Sequence, residues 1–272
     1  MKLKLDRTQQ HLPKLFWLAL VVLCSWIIIR QLPVNWVGGA LASQTGCRVI
    51  LHQPIGTIWQ GSAALAFSEP NSSEGGCRDP LSVTERFHWT TSCKLLSMAC
   101  NTEIEFGALD KPQLIAWGWG RSQIASNEIK LPANVLEGLG NPWSTLRPRG
   151  DLGARWTDIN LGAGDQNAGS LGVIRIIISN LTSPISPVRP LGSYEMQVNM
   201  TQDGANWNLS TTSGPLLLKG QGEIGNQSGN SAQKAGVHFS GEASASPEAQ
   251  DSLIGLLSLL GKKEGDIYRL KF

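Results

Sequence analysis

The pattern of hydrophobic and polar positions divides the chain into one short apolar block and a long region of alternation. The block comprises residues 15–29, which carry no charge and lie between Lys14 and Arg30. At about 1.5 Å per residue it is short for a hydrocarbon core of about 30 Å, but the two flanking basic side chains can extend to the headgroups. Tryptophans that suit a membrane interface lie within or just beyond it: Trp17, Trp26 and Trp36. The pattern predicts one transmembrane helix, with residues 15–34 as the anchor.

The distribution of basic residues predicts the orientation of this anchor. Four precede it, Lys2, Lys4, Arg7 and Lys14, whereas only Arg30 follows it closely. The positive-inside rule therefore makes residues 1–14 a cytoplasmic tail and places residues 35–272 on the exported side. The alternative is a cleavable signal peptide ending near residues 40–42, although that site lies far beyond the apolar block. Under either interpretation the long region is exported.

Beyond the anchor, apolar positions recur every second residue, which is typical of half-buried strands. Residues 194–200 and 207–211 show the pattern, and Ser213-Gly214-Pro215 then predicts a hairpin. Residues 174–178 are apolar except for Arg175, which favours a central strand. The alternation predicts a mainly β fold.

The apolar parity switches between Trp156 and Ile159, and this switch predicts a bulge or a sharp bend. We therefore expect a curved, mostly antiparallel β-sheet domain. Two similar segments, residues 146–150 and 188–192, each open a strand pattern, so that two consecutive sheet modules with a boundary near residues 140–150 are possible.

Helical signals are few. The clearest predicts a helix over residues 247–260, because Ser246 can cap it, Pro247 suits its first position and Gly261 ends it. Its leucines at positions 253, 256, 257 and 260 share one face, which favours packing on a sheet over a second membrane contact. A weaker helix is predicted over residues 133–139.

Composition agrees with an exported sheet protein. Charged residues are 16% of the chain, and glycine and tryptophan number 30 and 10. Without residues 1–30, 18 basic and 20 acidic side chains remain, a net charge of about −2. This charge gives no reason to expect a nucleic-acid partner.

The cysteines are expected to form disulfides. Cys24 lies inside the anchor and four others lie beyond it, an even number in an oxidising compartment. Three pairings are possible, and we favour Cys93 with Cys100 and Cys47 with Cys77. The alternative is a metal site built from Cys77, His88, Cys93 and Cys100, but no CxxC or HxxxH spacing supports it.

The sequence offers little catalytic chemistry. His52, His88 and His238 lie beyond the anchor without a partner at triad or metal-ligand spacing. Gly220, Gly222 and Gly225 match GxGxxG, but no helix follows them as a dinucleotide site requires. We therefore predict a protein that is not an enzyme, with no catalytic residue, cofactor, metal or small-molecule substrate.

Several blocks of the chain occur in the order seen in one known family. After the short anchor come GTIWQGSAAL at residues 56–65, LGSY at 191–194 and TSGPLLLKG at 212–220. FSGEA at 239–243 and LGKKEGD at 260–266 follow. In this order the chain resembles the general secretion pathway protein N (type II secretion system protein N) family of Gram-negative bacteria, from about residue 12 to residue 272.

The resemblance implies a single-pass inner-membrane protein with a cytoplasmic N-terminus and a periplasmic domain. Such a protein would belong to the machine that moves folded proteins across the outer membrane. The implied partners are other secretion subunits: the inner-membrane platform proteins, the secretin or the protein that links to it. The family carries no catalytic residue to transfer.

Aromatic residues are the first candidates for such contacts, because they supply much of the binding energy of interfaces. We select Ile58, Trp59, Trp117, Trp119 and Trp143 as a possible interface. Two other classes of function stay open. A tethered sheet could offer an apolar groove that binds or conducts lipid, as AsmA-type assembly proteins are thought to do, or the chain could be an envelope enzyme that uses one of its histidines.

Overall fold

Two large antiparallel β-sheets, a two-stranded sheet that pairs residues 70–71 with 76–77, and a few short helices make up the described part of the fold in a computed structural model of the chain. The structure describes residues 12–68, 70–71, 76–77, 82–94, 98–140, 143–162, 171–225 and 236–271. The α-helices are α1 Leu12–Arg30, α2 Asn35–Gln44, α3 Trp143–Leu146 and α4 Gln250–Leu260, and 3-10 helices span Ala133–Leu139 and Pro247–Ala249. The strands up to the first change of sheet are β1 Val49–Gly56, β2 Gln60–Phe67, β3 Pro70–Asn71, β4 Gly76–Cys77, β5 Ser82–Lys94, β6 Ala99–Glu105, β7 Gln113–Gly118 and β8 Arg121–Ile124. The remaining strands are β9 Asn127–Pro132, β10 Arg149–Trp156, β11 Ile159–Gly162, β12 Gly172–Thr182, β13 Gly192–Thr201, β14 Gly204–Ser213, β15 Leu216–Gly225, β16 Gly236–Ala245, β17 Lys262–Glu264 and β18 Ile267–Lys271. The prediction of a mainly β, antiparallel fold is confirmed.

The first sheet has seven strands in the order β1-β2-β5-β6-β7-β8-β11. Its apolar face carries Ala63 and Trp89, which form a small buried core with Val34 from the segment between α1 and α2. The Trp89 ring lies directly over Gly61 on the neighbouring strand, where any side chain would overlap it. The opposite face carries the exposed Glu103 and Glu105, so the period-two alternation separates core from solvent as expected.

The second sheet has nine strands in the order β17-β18-β16-β15-β14-β13-β12-β10-β9. Helix α4 covers one end of its apolar face with Leu253, Leu256 and Leu257, all buried. Strand β12 lies between β10 and β13, as the apolar segment 174–178 predicts. The predicted hairpin also forms, because β14 ends at Ser213 and β15 begins at Leu216.

The chain changes sheets where its apolar parity switches. Strand β10 ends at Trp156 in the nine-stranded sheet, and β11 begins at Ile159 and pairs with β8 of the seven-stranded sheet. The sequence predicts a bulge or a sharp bend at this point, and the structure shows a change of sheet across residues 157–158, with Trp156 paired in one sheet and Ile159 in the other. The Asp158 carboxylate fixes the crossing, since its Oδ1 accepts a hydrogen bond of 2.6 Å from the Ser126 amide.

A buried polar pair lies where the two sheets meet. Gln113 on β7 and Asn127 on β9 are each only 6% exposed. Asn127 Nδ2 donates to Gln113 Oε1 at 3.1 Å and to the Lys111 carbonyl at 2.8 Å, while Gln113 Nε2 donates to the Ala125 carbonyl at 2.9 Å. Because unpaired buried amides are costly, these bonds hold the sheets in one arrangement.

The helices lie where the sequence places them, with two differences. Residues 247–260 fold as a 3-10 turn, Pro247–Ala249, that continues into α4, and Ser246 makes no side-chain capping bond. The prediction of a Ser246 side-chain cap is therefore wrong; instead the Ala249 amide bonds to the Ser246 carbonyl at 3.0 Å. Residues 133–139 also form a helix, of the 3-10 type.

Helix α1 ends at Arg30, and residues 31–34 separate it from α2. Within the ranges that the structure describes, no helix combines the length and the apolar character needed to cross a membrane. The anchor over residues 15–34 stays a prediction, and residues 1–11 of the cytoplasmic tail lie outside the described residues. The proposed module boundary near residues 140–150 also stays a prediction.

Candidate interaction surfaces

The end of helix α1 is bonded to the turn between β1 and β2. Trp59 Nε1 donates to the Ile29 carbonyl at 2.7 Å, which satisfies one of the carbonyls left open at a helix C-terminus. The Ile58 amide donates to the Leu32 carbonyl at 3.1 Å, and the Val34 amide donates to the Gly56 carbonyl at 3.3 Å. We call this set of contacts the helix–sheet joint. It connects the apolar helix to the sheet through defined bonds.

Exposed apolar side chains project from the other strands at one end of the seven-stranded sheet. Met98 precedes β6, Trp117 lies at the end of β7 and Trp119 lies in the β7–β8 turn; their side chains are 61%, 41% and 84% exposed. The Cys93–Cys100 disulfide joins β5 and β6 beside them, and Trp117 Nε1 donates to Thr102 Oγ1 at 3.0 Å. We call Met98, Trp117 and Trp119 the tip. Its strands hold these side chains open to water.

An apolar cavity lies between α4 and the nine-stranded sheet. Its volume is about 170 Å³, and its walls include Trp143, Leu146, Tyr194, Leu256, Leu260 and Leu270. The buried Tyr194 hydroxyl donates to the Leu216 carbonyl at 3.0 Å, and its burial raises the pKa of that phenol above its usual value. The cavity wall is therefore apolar, because the Tyr194 hydroxyl is already hydrogen-bonded.

Aromatic rings of the nine-stranded sheet lie on glycines of adjacent strands. Trp207 covers Gly222, and Phe239 covers Gly220 and Gly241, so that a side chain at any of these glycines would overlap a ring. Two members of the GxGxxG match therefore have a packing role in strand β15.

The outer face of the same sheet is polar and carries ion pairs. Arg155 Nη2 lies 2.7 Å from Glu128 Oε2, and Arg175 Nε lies 3.0 Å from Glu195 Oε1. The hydrogen bond from Arg155 lowers the pKa of the Glu128 carboxyl. Exposed pairs of this kind contribute little to the stability of the fold.

The cysteines beyond the anchor are joined in pairs, Cys47 with Cys77 and Cys93 with Cys100. The alternative metal site would need three of these sulfurs, which the disulfides already occupy. Among the described residues, no group of three or more histidine, cysteine, aspartate or glutamate side chains could hold a metal ion. Cys24 is the free cysteine, and it is exposed on α1.

The five predicted interface residues lie in three places. Ile58 and Trp59 belong to the helix–sheet joint, Trp117 and Trp119 belong to the tip, and Trp143 lines the cavity. Their role in binding stays a prediction. Met98 completes the tip but is missing from the predicted set, and its position beside the aromatic residues depends on the pairing of β6 with β7.

Comparison with known proteins identifies the family. The family model for type II secretion system (T2SS), protein N matches residues 48–271. The chain belongs to that family. No curated protein and no solved structure matches the chain. The resemblance noted from the sequence blocks is confirmed, and the matched region contains every strand that the structure describes.

Family membership makes the chain a component of the type II secretion machinery, and it indicates a location in the cell envelope. The family is part of a secretion machine and is not a known enzyme family. Both statements agree with a molecule whose tip and cavity are lined mainly by apolar side chains.

Proposed function

We propose that the chain is a non-enzymatic, inner-membrane-anchored periplasmic component of the type II secretion machine. It acts through protein–protein contacts in the export of folded proteins across the outer membrane. The family match over residues 48–271 is the observation that carries this proposal. The contacts would be with the inner-membrane platform proteins, the secretin or its linking protein.

The anchor is proposed for residues 15–34, with the N-terminus in the cytoplasm. Its support is the exposure of the apolar helix: large side chains from Phe16 to Ile29 remain open, for example Phe16 at 67% and Ile28 at 64%. A stripe of this kind is unfavourable in water and favourable in lipid. The Arg30 guanidinium lies 5.3 Å from the Trp26 ring centroid, an arrangement suited to a membrane interface.

Cys24 allows a direct test of the anchor. Because the other four cysteines form disulfides, a maleimide should label this one thiol in the oxidised chain. If α1 lies in the bilayer, labelling in intact membranes should be slow and should become rapid after detergent is added. A Cys24→Ser variant is the matched control. Rapid labelling without detergent, together with release of the chain by alkaline carbonate, would contradict the anchor.

The secretion role is tested by deletion and by crosslinking in cells. Deleting the gene should reduce or alter the export of type II substrates, and a plasmid copy should restore it. A photo-crosslinking residue at Leu217 or Ile177, which are 42% and 37% exposed, should capture other secretion subunits. The same residue at Leu253, which is 0% exposed, is the matched control. Normal export in the deletion strain and no crosslink to any secretion subunit would refute the proposal.

The cavity beneath α4 favours a second candidate function, the binding of lipid. Apolar cavities of about 150 Å³ stay dry and accept groups the size of benzene. A cavity of about 170 Å³ therefore has room for the end of an acyl chain but not for a whole lipid. For this reason lipid binding ranks second to protein contacts.

Mass spectrometry of the purified chain distinguishes the two functions. A copurified lipid that is lost in a Leu260→Trp variant, whose larger side chain would fill the cavity, supports lipid binding. An Ile254→Trp variant is the control, because Ile254 is 45% exposed on the same helix and does not line the cavity. If the wild type and both variants carry the same amount of lipid, the lipid does not occupy the cavity and is assigned to the surface of α1.

A further inference from the structure

The helix–sheet joint fixes which end of the seven-stranded sheet lies next to helix α1. Trp59 is bonded to Ile29, and Leu32 is bonded to Ile58, so the β1–β2 turn meets the last turn of the helix. Pro33 and Thr57 form an additional β-bridge. If α1 is anchored in the bilayer, this turn lies at the membrane surface.

The strand register shows that other strands extend past this turn in the same direction. Gln60 pairs with Thr90, Thr90 with Glu103, and Glu103 with Leu114. Strand β5 continues from Thr90 to Lys94, and β7 continues from Leu114 to Gly118. At about 3.3 Å per residue, these four-residue extensions reach up to about 13 Å beyond the level of Gln60, where β2 begins. The tip thus lies at the same end of the seven-stranded sheet as the joint.

The chemistry of the tip fits the interface between headgroups and acyl chains. Tryptophan is enriched there, and Trp119 is the most open of the exposed large apolar side chains that the structure describes, at 84%. Lys94 and Arg121 are exposed beside it, where anionic headgroups would attract them. The sequence has no acidic residue from 91 to 102 or from 114 to 127.

The tip is also held in shape before any contact is made. The Cys93–Cys100 disulfide and the Trp117–Thr102 hydrogen bond hold β5, β6 and β7 together at this end. Insertion would therefore require little additional ordering, which favours binding. An anchored α1 would also hold the tip close to the bilayer and so raise the effective concentration of lipid at the tip.

We propose that the tip, together with Lys94 and Arg121, inserts into the interface of the inner membrane beside α1. The seven-stranded sheet then contacts the bilayer at two points, the joint and the tip, and a second contact restricts rotation of the domain about its anchor. This inference rests on the anchoring of α1 proposed above. The occupant of the tip is the lipid bilayer, and a protein partner is an outcome that the test can reveal.

The test places a fluorescent label at the tip of the full chain in vesicles of phosphatidylethanolamine and phosphatidylglycerol. In a Cys24→Ser background, Trp119→Cys and Met98→Cys provide two tip positions, and Met98→Cys leaves both tryptophans in place. Val83→Cys is the matched control, because Val83 is 47% exposed on β5 near the opposite end of the sheet. Lipids with a nitroxide high on the acyl chain should quench roughly half of the emission at both tip positions and almost none at the control position.

Alkaline extraction of the same vesicles separates this inference from the proposed function. A chain that is retained, with tip labels quenched like the control, keeps its anchor and overturns the tip insertion alone. A chain that is released and unquenched overturns both. Tip labels that become shielded only when other secretion subunits are added would assign the tip to a protein partner and would also overturn the insertion.

Discussion

Helix α4 allows a sharp test of how the nine-stranded sheet is closed. Leu253 is 0% exposed and Ile254, the next residue, is 45% exposed. Leu253→Ala removes buried carbon atoms from the main core and should cost about 3–5 kcal/mol of unfolding free energy. Ile254→Ala removes carbon atoms that are already nearly half exposed to solvent, and alanine is the better helix former, so this change should cost less than about 1 kcal/mol. The difference between the two variants should therefore be at least about 2 kcal/mol.

Urea denaturation of the detergent-solubilised full chain, followed by far-UV circular dichroism, measures both variants against the wild type. A difference below about 1 kcal/mol between the variants would refute the one-sided packing of α4 on the sheet. If Ile254→Ala instead weakened the retention of the chain in carbonate-washed membranes, α4 would be a membrane contact.

Three further changes test other features. The pKa of Tyr194 is raised in the folded state, so its contribution to the free energy of unfolding is complete below pH about 10 and falls by about 1.4 kcal/mol per pH unit above it. Tyr194→Phe should therefore remove part of the loss of stability at alkaline pH, which urea titrations at graded pH can measure. Gly222→Ala should cost about 1–3 kcal/mol by overlap with Trp207, whereas Gly225→Ala has open space and should cost less, as thermal melts can show. Asn127→Ala should speed limited proteolysis between the sheets, because it breaks the three hydrogen bonds of a buried side-chain amide.

The strands and the hairpin could be predicted because their signals are local. Alternation at residues 194–200 and 207–211 reflects a sheet with one buried face, and β13 and β14 carry it as expected. The Ser213-Gly214-Pro215 turn needs only its own residues, including Gly214 with a φ of 108°. The leucine face of α4 is equally local, because i, i+3 and i+4 spacing defines one side of a helix.

The arrangement of the sheets could not be predicted because it depends on distant partners. The parity switch at residues 156–159 is visible in the sequence, but the exchange of sheets depends on β8 and on Ser126, 32 residues away from its partner Asp158. The packing role of the glycines of strand β15 could not be predicted for the same reason. Only glycine fits at position 222, because the pairing of β14 with β15 places the Trp207 ring directly over it.

For the candidate surfaces, the sequence could select the residues but could not separate their roles. Tryptophan content alone selected Trp59, Trp117, Trp119 and Trp143, which lie in the joint, the tip and the cavity. What separates their roles is the hydrogen-bond partner and the exposure of each ring, and neither is encoded near the residue itself. The Trp59 bond to Ile29, for example, connects positions 30 residues apart.

A component that acts by contact must transmit its position from the membrane to the surface that its partner touches, and the described bonds form such a path. The joint ties α1 to β1 and β2 through three hydrogen bonds of 2.7 to 3.3 Å. The ladder of β2, β5, β6 and β7 leads to Gln113, whose bond with Asn127 crosses to the nine-stranded sheet. Because the two sheets are joined through the buried Gln113–Asn127 bond, a displacement of one sheet should move the other. If α1 is the anchor proposed above, a single helix would permit rotation of the domain, and the proposed second contact at the tip would oppose that rotation.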